Sequence, residues 1–474
     1  MSIVVQALDF GPALCGVLGF VALTGWMLWF RFGDLFGDAR RQVTILAIAG
    51  ILGLGFIGYL GLGFALAGWF SASRFFGVWA LVMMLLAADG WRRGRWPAHL
   101  AQWRFAQPLP IYFWLLISLW LLLYIRPFDL VIGGRDPGVY VNTAAQIAEQ
   151  GGLAVLDPFL ADLTPAIQEQ LVWHPVWLKD FIPYKWPGFF WMGNSSARPG
   201  MVLPQFFHMY PALMAPFYAM LGYRGALTIL PVIMLVFALV LAEMAWLLLQ
   251  SRLSGRDELA KVTPPSLALT IGSLLPPLFL LLNPAMYWFG RFANADVLYG
   301  LFVFAAVFFW ARAAEVRNQG WLNWPLALLC FGAALLTKID SFYLLPGAVL
   351  TAQVFHPARR ERHRWAQWLA WGAVCGVYLA AVYGFSYPYV LSTLRSSGFW
   401  VSTQRAEAVW IAIGYLMIVT AAGLTTPLLA ADRLERWRTR WRLPAASLAL
   451  AVAVACLLSL TILVVAMPNR VRLV

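Results

Sequence analysis

Ile111-Tyr112-Phe113-Trp114-Leu115-Leu116-Ile117-Ser118-Leu119-Trp120-Leu121-Leu122-Leu123-Tyr124 is an uncharged apolar run, and shortly after it stands Gly133-Gly134-Arg135-Asp136-Pro137-Gly138-Val139-Tyr140. The first stretch suits hydrocarbon and the second suits water. Asp136 thus lies just past the end of a hydrophobic segment, at the head of a long loop rich in Trp, Tyr, His and Lys. A carboxylate in that position stands where membrane-borne chemistry meets water.

The composition of the whole chain agrees. Of 474 residues, 62% are hydrophobic and 12% charged, against roughly a quarter charged in soluble domains, so a water-facing surface cannot be assembled from it. The formal charge of +13 does not call for nucleic acid as a partner. Its basic residues are scattered in short loops between apolar runs, where they orient helices in an anionic bilayer. Cys15, Cys330, Cys375 and Cys456 fall inside apolar runs with no metal-ligand spacing. Met1-Ser2-Ile3-Val4-Val5 lacks the basic region of a cleavable signal, so the first helix is expected to be retained.

About 18 to 20 apolar residues span the hydrocarbon. That criterion predicts an all-α, polytopic membrane protein with about twelve helices, near 11–30, 42–69, 75–90, 109–126, 225–249, 266–285, 297–314, 322–337, 341–355, 367–386, 409–430 and 445–467. Residues 201–221 are also apolar, but Pro204, His208, Pro211 and Pro216 interrupt them. Counting them as a span would reverse the sidedness of everything that follows, so the expectation is a helix lying in the outer interface. The charge bias fits this choice: the loops at 31–41, 91–107, 250–265, 311–324, 356–366 and 431–443 carry 21 of the 34 Lys and Arg, which marks them as cytoplasmic. Asp136 then faces outward.

On that outward side polar residues gather at helix ends. After Asp136 come Arg291, Asn294 and Asp296 in one short loop, then Lys338 and Asp340 in another. Each has a plainer use when taken alone. Arg291 and Lys338 can reach out to headgroups, Asp296 can cap the next helix, and Asp340 can pair with Lys338. The combination is more telling, because charges near hydrocarbon cost on the order of 2.5 to 3.5 kcal/mol at a helix centre.

These residues are where the chain resembles the GT-C class of integral-membrane glycosyltransferases, the class of the protein O-mannosyltransferases and the lipid A aminoarabinose transferases. The resemblance begins at Asp136-Pro137-Gly138-Val139-Tyr140 and runs to Gly151-Gly152-Leu153, like the family's acidic residue followed by a short interfacial helix ending in Gly. It continues with Phe207-His208-Met209-Tyr210-Pro211-Ala212-Leu213, with Arg291 through Asp296, and with Thr337-Lys338. It covers roughly 109–355 and implies three parts: membrane helices of unknown role in 1–108, a catalytic membrane core in 109–355 with an outer loop at 127–224 bearing interfacial helices, and C-terminal membrane helices in 356–474. The first three helices lie before the point where the family's core usually begins, and the outward tail from Asn469 is short where many relatives carry a soluble outer domain.

What the resemblance implies is a transfer of sugar from a polyprenyl-phosphate carrier to a lipid, glycan or protein acceptor, at the outer face of a bacterial plasma membrane. An acceptor hydroxyl would displace the phosphate directly, with Asp136 as the base. Lys338 and Arg291 are the first candidates for the departing phosphate, with Lys185 and Arg405 behind them. Asp296 would orient the acceptor, or hold a divalent cation with Asp136, although no Asp-x-Asp pair stands near either. Tyr140, His208, Tyr210 and Asp340 complete the expected substrate-binding set, His208 and Tyr210 beside the phosphate.

Trp173, Trp177, Tyr184, Trp186, Phe189, Phe190 and Trp191 could stack on sugar rings or form an interfacial belt. A transporter or flippase of lipid-linked glycans is the second class of function. It would place ionisable groups near the bilayer midplane, where Glu243 is the only one well inside a predicted span, and the two halves of the chain show no repeat. A lipid-linked polysaccharide polymerase, the third reading, would depend on outer-loop arginines more than on Asp136.

Overall fold

The computed structural model describes residues 3–33, 41–96, 100–101, 111–129, 136–172, 184–186, 188–192, 200–254, 267–315, 322–339, 364–396, 404 and 406–417. The protein is an all-α, polytopic membrane protein with one small sheet. Among the described residues six helices are long and apolar enough to cross a membrane, and four shorter apolar helices accompany them. The predicted helices at 341–355 and 445–467, and most of 409–430, lie outside the described residues.

Helices α1 (Ile3–Phe32), α2 (Gln42–Ala67) and α3 (Ala72–Arg92) come first. Their small residues let backbones approach, as in membrane bundles where van der Waals packing does the work. A Cβ on Gly25 would lie 1.9 Å from the Ala49 carbonyl oxygen, so only glycine permits the α1 to α2 contact. The ends are tied by charge: Arg31 pairs with Asp89, Arg95 donates to the Arg31 carbonyl at 2.7 Å, and Arg41 reaches Glu243 at 2.8 Å. The flanks of the loops expected on the cytoplasmic side thus meet at one end of the bundle.

Helix α4 (Ile111–Tyr124) leads to α5 (Asp136–Gln150), which starts on Asp136 and stops at Gly151 with φ 86°. Strand β1 (Val155–Leu156), the short helices α6 (Pro158–Ala161) and α7 (Pro165–Leu171), and strands β2 (Tyr184–Trp186), β3 (Phe189–Trp191) and β4 (Met201–Pro204) follow. The strands form an antiparallel sheet in the order β1-β4-β3-β2, an element absent from the all-α expectation. Phe189, Trp191 and Val202 pack with Leu160 and Val172 beneath it. Tyr184 and Phe190 face the other way into the main core, so all four aromatics Tyr184, Phe189, Phe190 and Trp191 are buried in packing and not as a belt or a free stacking platform. Trp173 and Trp177 lie outside the described residues, as does the Trp186 side chain.

Helix α8 (Met209–Ser254) corrects the expectation for 201–221. At Gly222 the backbone leaves helical geometry, with φ 62° and ψ −152°, a conformation open to glycine at little cost. The chain folds back there, so a Cβ on Gly225 would meet the Phe217 carbonyl oxygen at 2.2 Å; in an unbroken helix residues eight apart are roughly 12 Å apart. Met209 and Ala212 face Gly58 and Gly61 of α2, while Val236 faces Gly50. The first leg therefore climbs toward the C-terminal end of α2 and the second returns along it. Every residue from Met209 to Phe217 is buried, whereas a helix lying on the interface would expose one side. Pro211 and Pro216 do not prevent this leg, since Pro211 stands in its first turn, where no intrahelical donor is needed. Both legs meet at one end, so sidedness after 225 is unchanged.

Helix α9 (Leu267–Leu282), the short α10 (Pro284–Phe289), α11 (Asp296–Glu315) and α12 (Asn323–Leu335) complete the described core with α13 (Arg364–Ala381), a π-turn at Val382–Ser386, α14 (Tyr387–Ser396) and α15 (Ala406–Met417). Helices α1, α2, α8, α11 and α12 share one apolar core. The first helices of the chain are packed into the same body as those that carry Asp296 and Lys338.

Candidate active site

Asp136 opens α5 and Asp296 opens α11. An acidic residue at a helix start is favoured by the unsatisfied N–H groups and the positive end of the helix dipole. Lys338 follows the end of α12, and its ammonium pairs with the Asp296 carboxylate. Both side chains keep about a third of their surface open (28% and 32%), so a substrate can reach them. The backbone holds this meeting point as well, because the Met209 N–H donates to the Leu336 carbonyl at 2.9 Å.

Tyr140, one turn into α5, feels both carboxylates. Burial pushes its phenol well above the ordinary value, and Tyr389, Asp136, Asp296 and Tyr210 push it further the same way. Asp136, exposed, and Asp296 thus act on one hydroxyl. Tyr210 meets Tyr140 edge to face with centroids 5.3 Å apart, and its own hydroxyl has no hydrogen-bond partner among the described residues. The site therefore unites Asp136, Tyr140, Tyr210, Asp296 and Lys338 from four separate stretches of chain.

The Met209 to Leu336 contact beside Lys338 lies below the rim of the bundle. Met209 is level with Gly58, nine residues or roughly 14 Å short of the end of α2.

Arg291 sits elsewhere in the same region and is already engaged. Its Nε donates to the Arg126 carbonyl at 2.8 Å, its guanidinium bonds the Tyr287 hydroxyl, and it lies 4.2 Å from the Phe128 ring centroid. These contacts clamp the 287–294 loop onto the end of α4. Asp340 and Arg405 lie outside the described residues, as does the Lys185 side chain; the Lys185 backbone occupies the irregular point of the β2 to β3 pairing. Among the described residues no three or more His, Cys, Asp and Glu gather in a way that could hold a metal ion.

His208 is fully enclosed. Its Nδ1 lies 3.2 Å from the Ser386 hydroxyl and its Nε2 3.4 Å from the Pro204 carbonyl. Burial pushes its pKa down to about 4, against a smaller upward pull from the Pro204 hydrogen bond. The imidazole is therefore neutral at physiological pH and ties the 204–208 segment to the π-turn. Because the folded pKa lies below the unfolded value of about 6.5, the unfolded chain binds the extra proton first. This contribution to stability is complete above about pH 6.5 and is lost as pH falls toward 4. The apparent melting temperature of detergent-solubilised protein is expected to fall across that window, and to fall less in His208→Gln, where the side chain does not titrate; equal slopes would assign the acid sensitivity to other groups.

Several participants were not singled out in the sequence. Phe206 is the one non-glycine with positive φ (75°) among the described residues, a costly geometry for a bulky side chain. It is wedged between Tyr140, stacked at 5.1 Å, and Tyr389, edge-on at 5.2 Å. The signal for Ser386 and Tyr389 was Pro388. A proline inside a helix removes one hydrogen bond and clashes with the carbonyl four residues back, here Gly384, and the π-turn Val382–Ser386 is the wider turn that accommodates it.

Residues 266–387 match the model of the dolichyl-phosphate-mannose-protein mannosyltransferase family. The matched stretch includes Arg291, Asp296, Lys338 and Ser386, and stops short of Asp136, Tyr140 and His208. It supports a GT-C class glycosyltransferase that uses a polyprenyl-phosphate sugar. No curated protein and no solved structure matches the chain.

Proposed function

We propose that this protein transfers a sugar from a polyprenyl-phosphate carrier to an acceptor hydroxyl at the outer membrane face, by direct displacement with inversion. The observation that carries the reading is the pairing of Lys338 with Asp296, both part-exposed, with Asp136 and Asp296 both acting on the Tyr140 phenol. The acceptor oxygen attacks the anomeric carbon while the bond from that carbon to the phosphate oxygen breaks. The acceptor proton passes to the exposed Asp136 carboxylate, and the phosphate leaves with the electron pair toward Lys338. Asp296 holds the ammonium in place and yields part of it to the phosphate as charge develops. Tyr140, on whose phenol both carboxylates act, fixes the acceptor.

Glu243 speaks against the transporter reading. Its carboxylate accepts from Arg41 at 2.8 Å and from Thr44 at 2.5 Å, at the end of the bundle away from Asp296 and Lys338. Arg41 also lies 3.6 Å from the Trp246 ring centroid. Glu243 is therefore used to fasten α8 to the start of α2.

Purified protein incubated with sugar-labelled polyprenyl phosphate should release free polyprenyl phosphate and pass the label to an acceptor. A lipid-linked sugar that crosses a vesicle bilayer intact, with no release, would establish the transporter instead. Sidedness is tested separately with single cysteines at 195 and 437 in a cysteine-free background. An impermeant maleimide on intact cells should label 195 only, and labelling at 437 alone would place the site on the cytoplasmic side.

A further inference from the structure

An open groove of about 710 Å³ lies between the end of α2 and the start of α3, lined by Phe64, Trp69, Ser73, Arg74, Gly77 and Val78. It is not part of the active site. The α2 to α3 turn touches the far end of α5, where the Phe70 N–H donates to the Gly151 carbonyl at 2.9 Å. Asp136 is at the other end of that helix, roughly 21 Å along its axis.

The lining is almost wholly apolar, yet its head is polar and cationic. Ser71 caps α3 by accepting from the Arg74 N–H at 3.3 Å, and the Ser71 and Ser73 hydroxyls lie 3.3 Å apart. Beyond the groove the same face of α3 stays apolar and open, where Val78, Leu81 and Leu85 follow Arg74 at intervals of four, seven and eleven residues. Leu81 is 52% and Leu85 61% exposed. From Arg74 to Leu85 the helix rises roughly 16 Å, about half the hydrocarbon thickness of a bilayer. A cation and two hydroxyls at the head of an apolar groove and helix face together about one leaflet long complement a lipid with an anionic head and a hydrocarbon chain.

We propose that this groove binds an anionic glycerophospholipid, its phosphodiester on Arg74, Ser71 and Ser73 and one acyl chain along Gly77, Val78, Leu81 and Leu85. Gly77 makes room for the chain, since a Cβ there meets nothing within 4 Å. That open space also makes it the natural probe, because a side chain can leave the helix there without a clash at its Cβ and glycine is the poorer helix former.

The test uses the full chain in vesicles, with Leu81→Cys in a cysteine-free background labelled with a small fluorophore. Phosphatidylglycerol and phosphatidylcholine of identical chains, brominated in turn as quenchers, report which lipid contacts the label. Phosphatidylglycerol should be preferred about fivefold, the equivalent of roughly 1 kcal/mol for one cation near the surface. Arg74→Gln should remove the preference and Arg74→Lys retain most of it. Gly77→Phe and the smaller Gly77→Leu should both lower quenching by phosphatidylglycerol to the level of phosphatidylcholine. A preference unchanged in Arg74→Gln and in both Gly77 variants would overturn the proposal. So would a label that neither lipid quenches and that cross-links to a second copy of the chain, which would make the groove an interface between copies.

Discussion

Asp136→Asn is expected to lower sugar transfer by about 10² to 10⁴, the usual contribution of a positioned general base, while leaving the fold and the affinity for the donor lipid as they are. Asparagine keeps the shape and the helix-start position of Asp136 but cannot accept a proton at neutral pH. Asp136 is exposed, so the substitution uncovers no cavity and breaks no core contact. Its loss should appear in turnover with little change in apparent donor binding, as when an interaction made only in the transition state is removed. The measurement is release of labelled sugar from polyprenyl phosphate by purified protein, beside a lipid-binding titration. Activity within about tenfold of wild type would show that Asp136 is not the base. A parallel loss of donor affinity would instead place Asp136 in donor binding. Tyr140→Phe separates the roles further: if Tyr140 fixes the acceptor, it should raise the acceptor concentration needed for half-maximal rate and leave donor affinity unchanged.

Asp136, Asp296 and Lys338 were legible in the sequence because each is a charge at the margin of an apolar run, where hydrocarbon makes an idle charge expensive. Helix positions followed from length and hydropathy for the same reason. The first leg of α8 was not legible. Its prolines argue against a buried helix, and only the reversal at Gly222 and the close packing on Gly58 and Gly61 show how a short leg can be enclosed. The sheet was hidden by its brevity, since strands of two to four residues carry too little alternation to register. Asp296, expected to orient the acceptor or to hold a divalent cation with Asp136, pairs with Lys338 across more than forty residues of chain, a pairing the sequence did not announce. Arg291 had the right charge and place but is held by a carbonyl, a phenol and an aromatic face, which no sequence pattern announces.

Lys338→Ala is expected to weaken binding of both the donor and spent polyprenyl phosphate by about tenfold or more, because the phosphate is common to the two. It should also slow transfer by a further factor of about 10² as negative charge grows on the leaving group. The pairing with Asp296 sharpens the test. In the free protein the ammonium is shared with a carboxylate, so phosphate must compete for it. Asp296→Asn removes the competitor and should leave phosphate binding equal or tighter while turnover falls, since the ammonium is then no longer aimed. Lys338→Arg keeps the charge but replaces a compact, rotatable donor with a planar fork, and should retain binding better than turnover. Lipid affinity of all three variants, measured on one preparation of polyprenyl phosphate, distinguishes these outcomes. Wild-type affinity in Lys338→Ala would make the Lys338 to Asp296 pair a structural tie between α11 and α12. Weaker binding in Asp296→Asn would mean that the phosphate is held by the pair as a unit and not by the lysine alone.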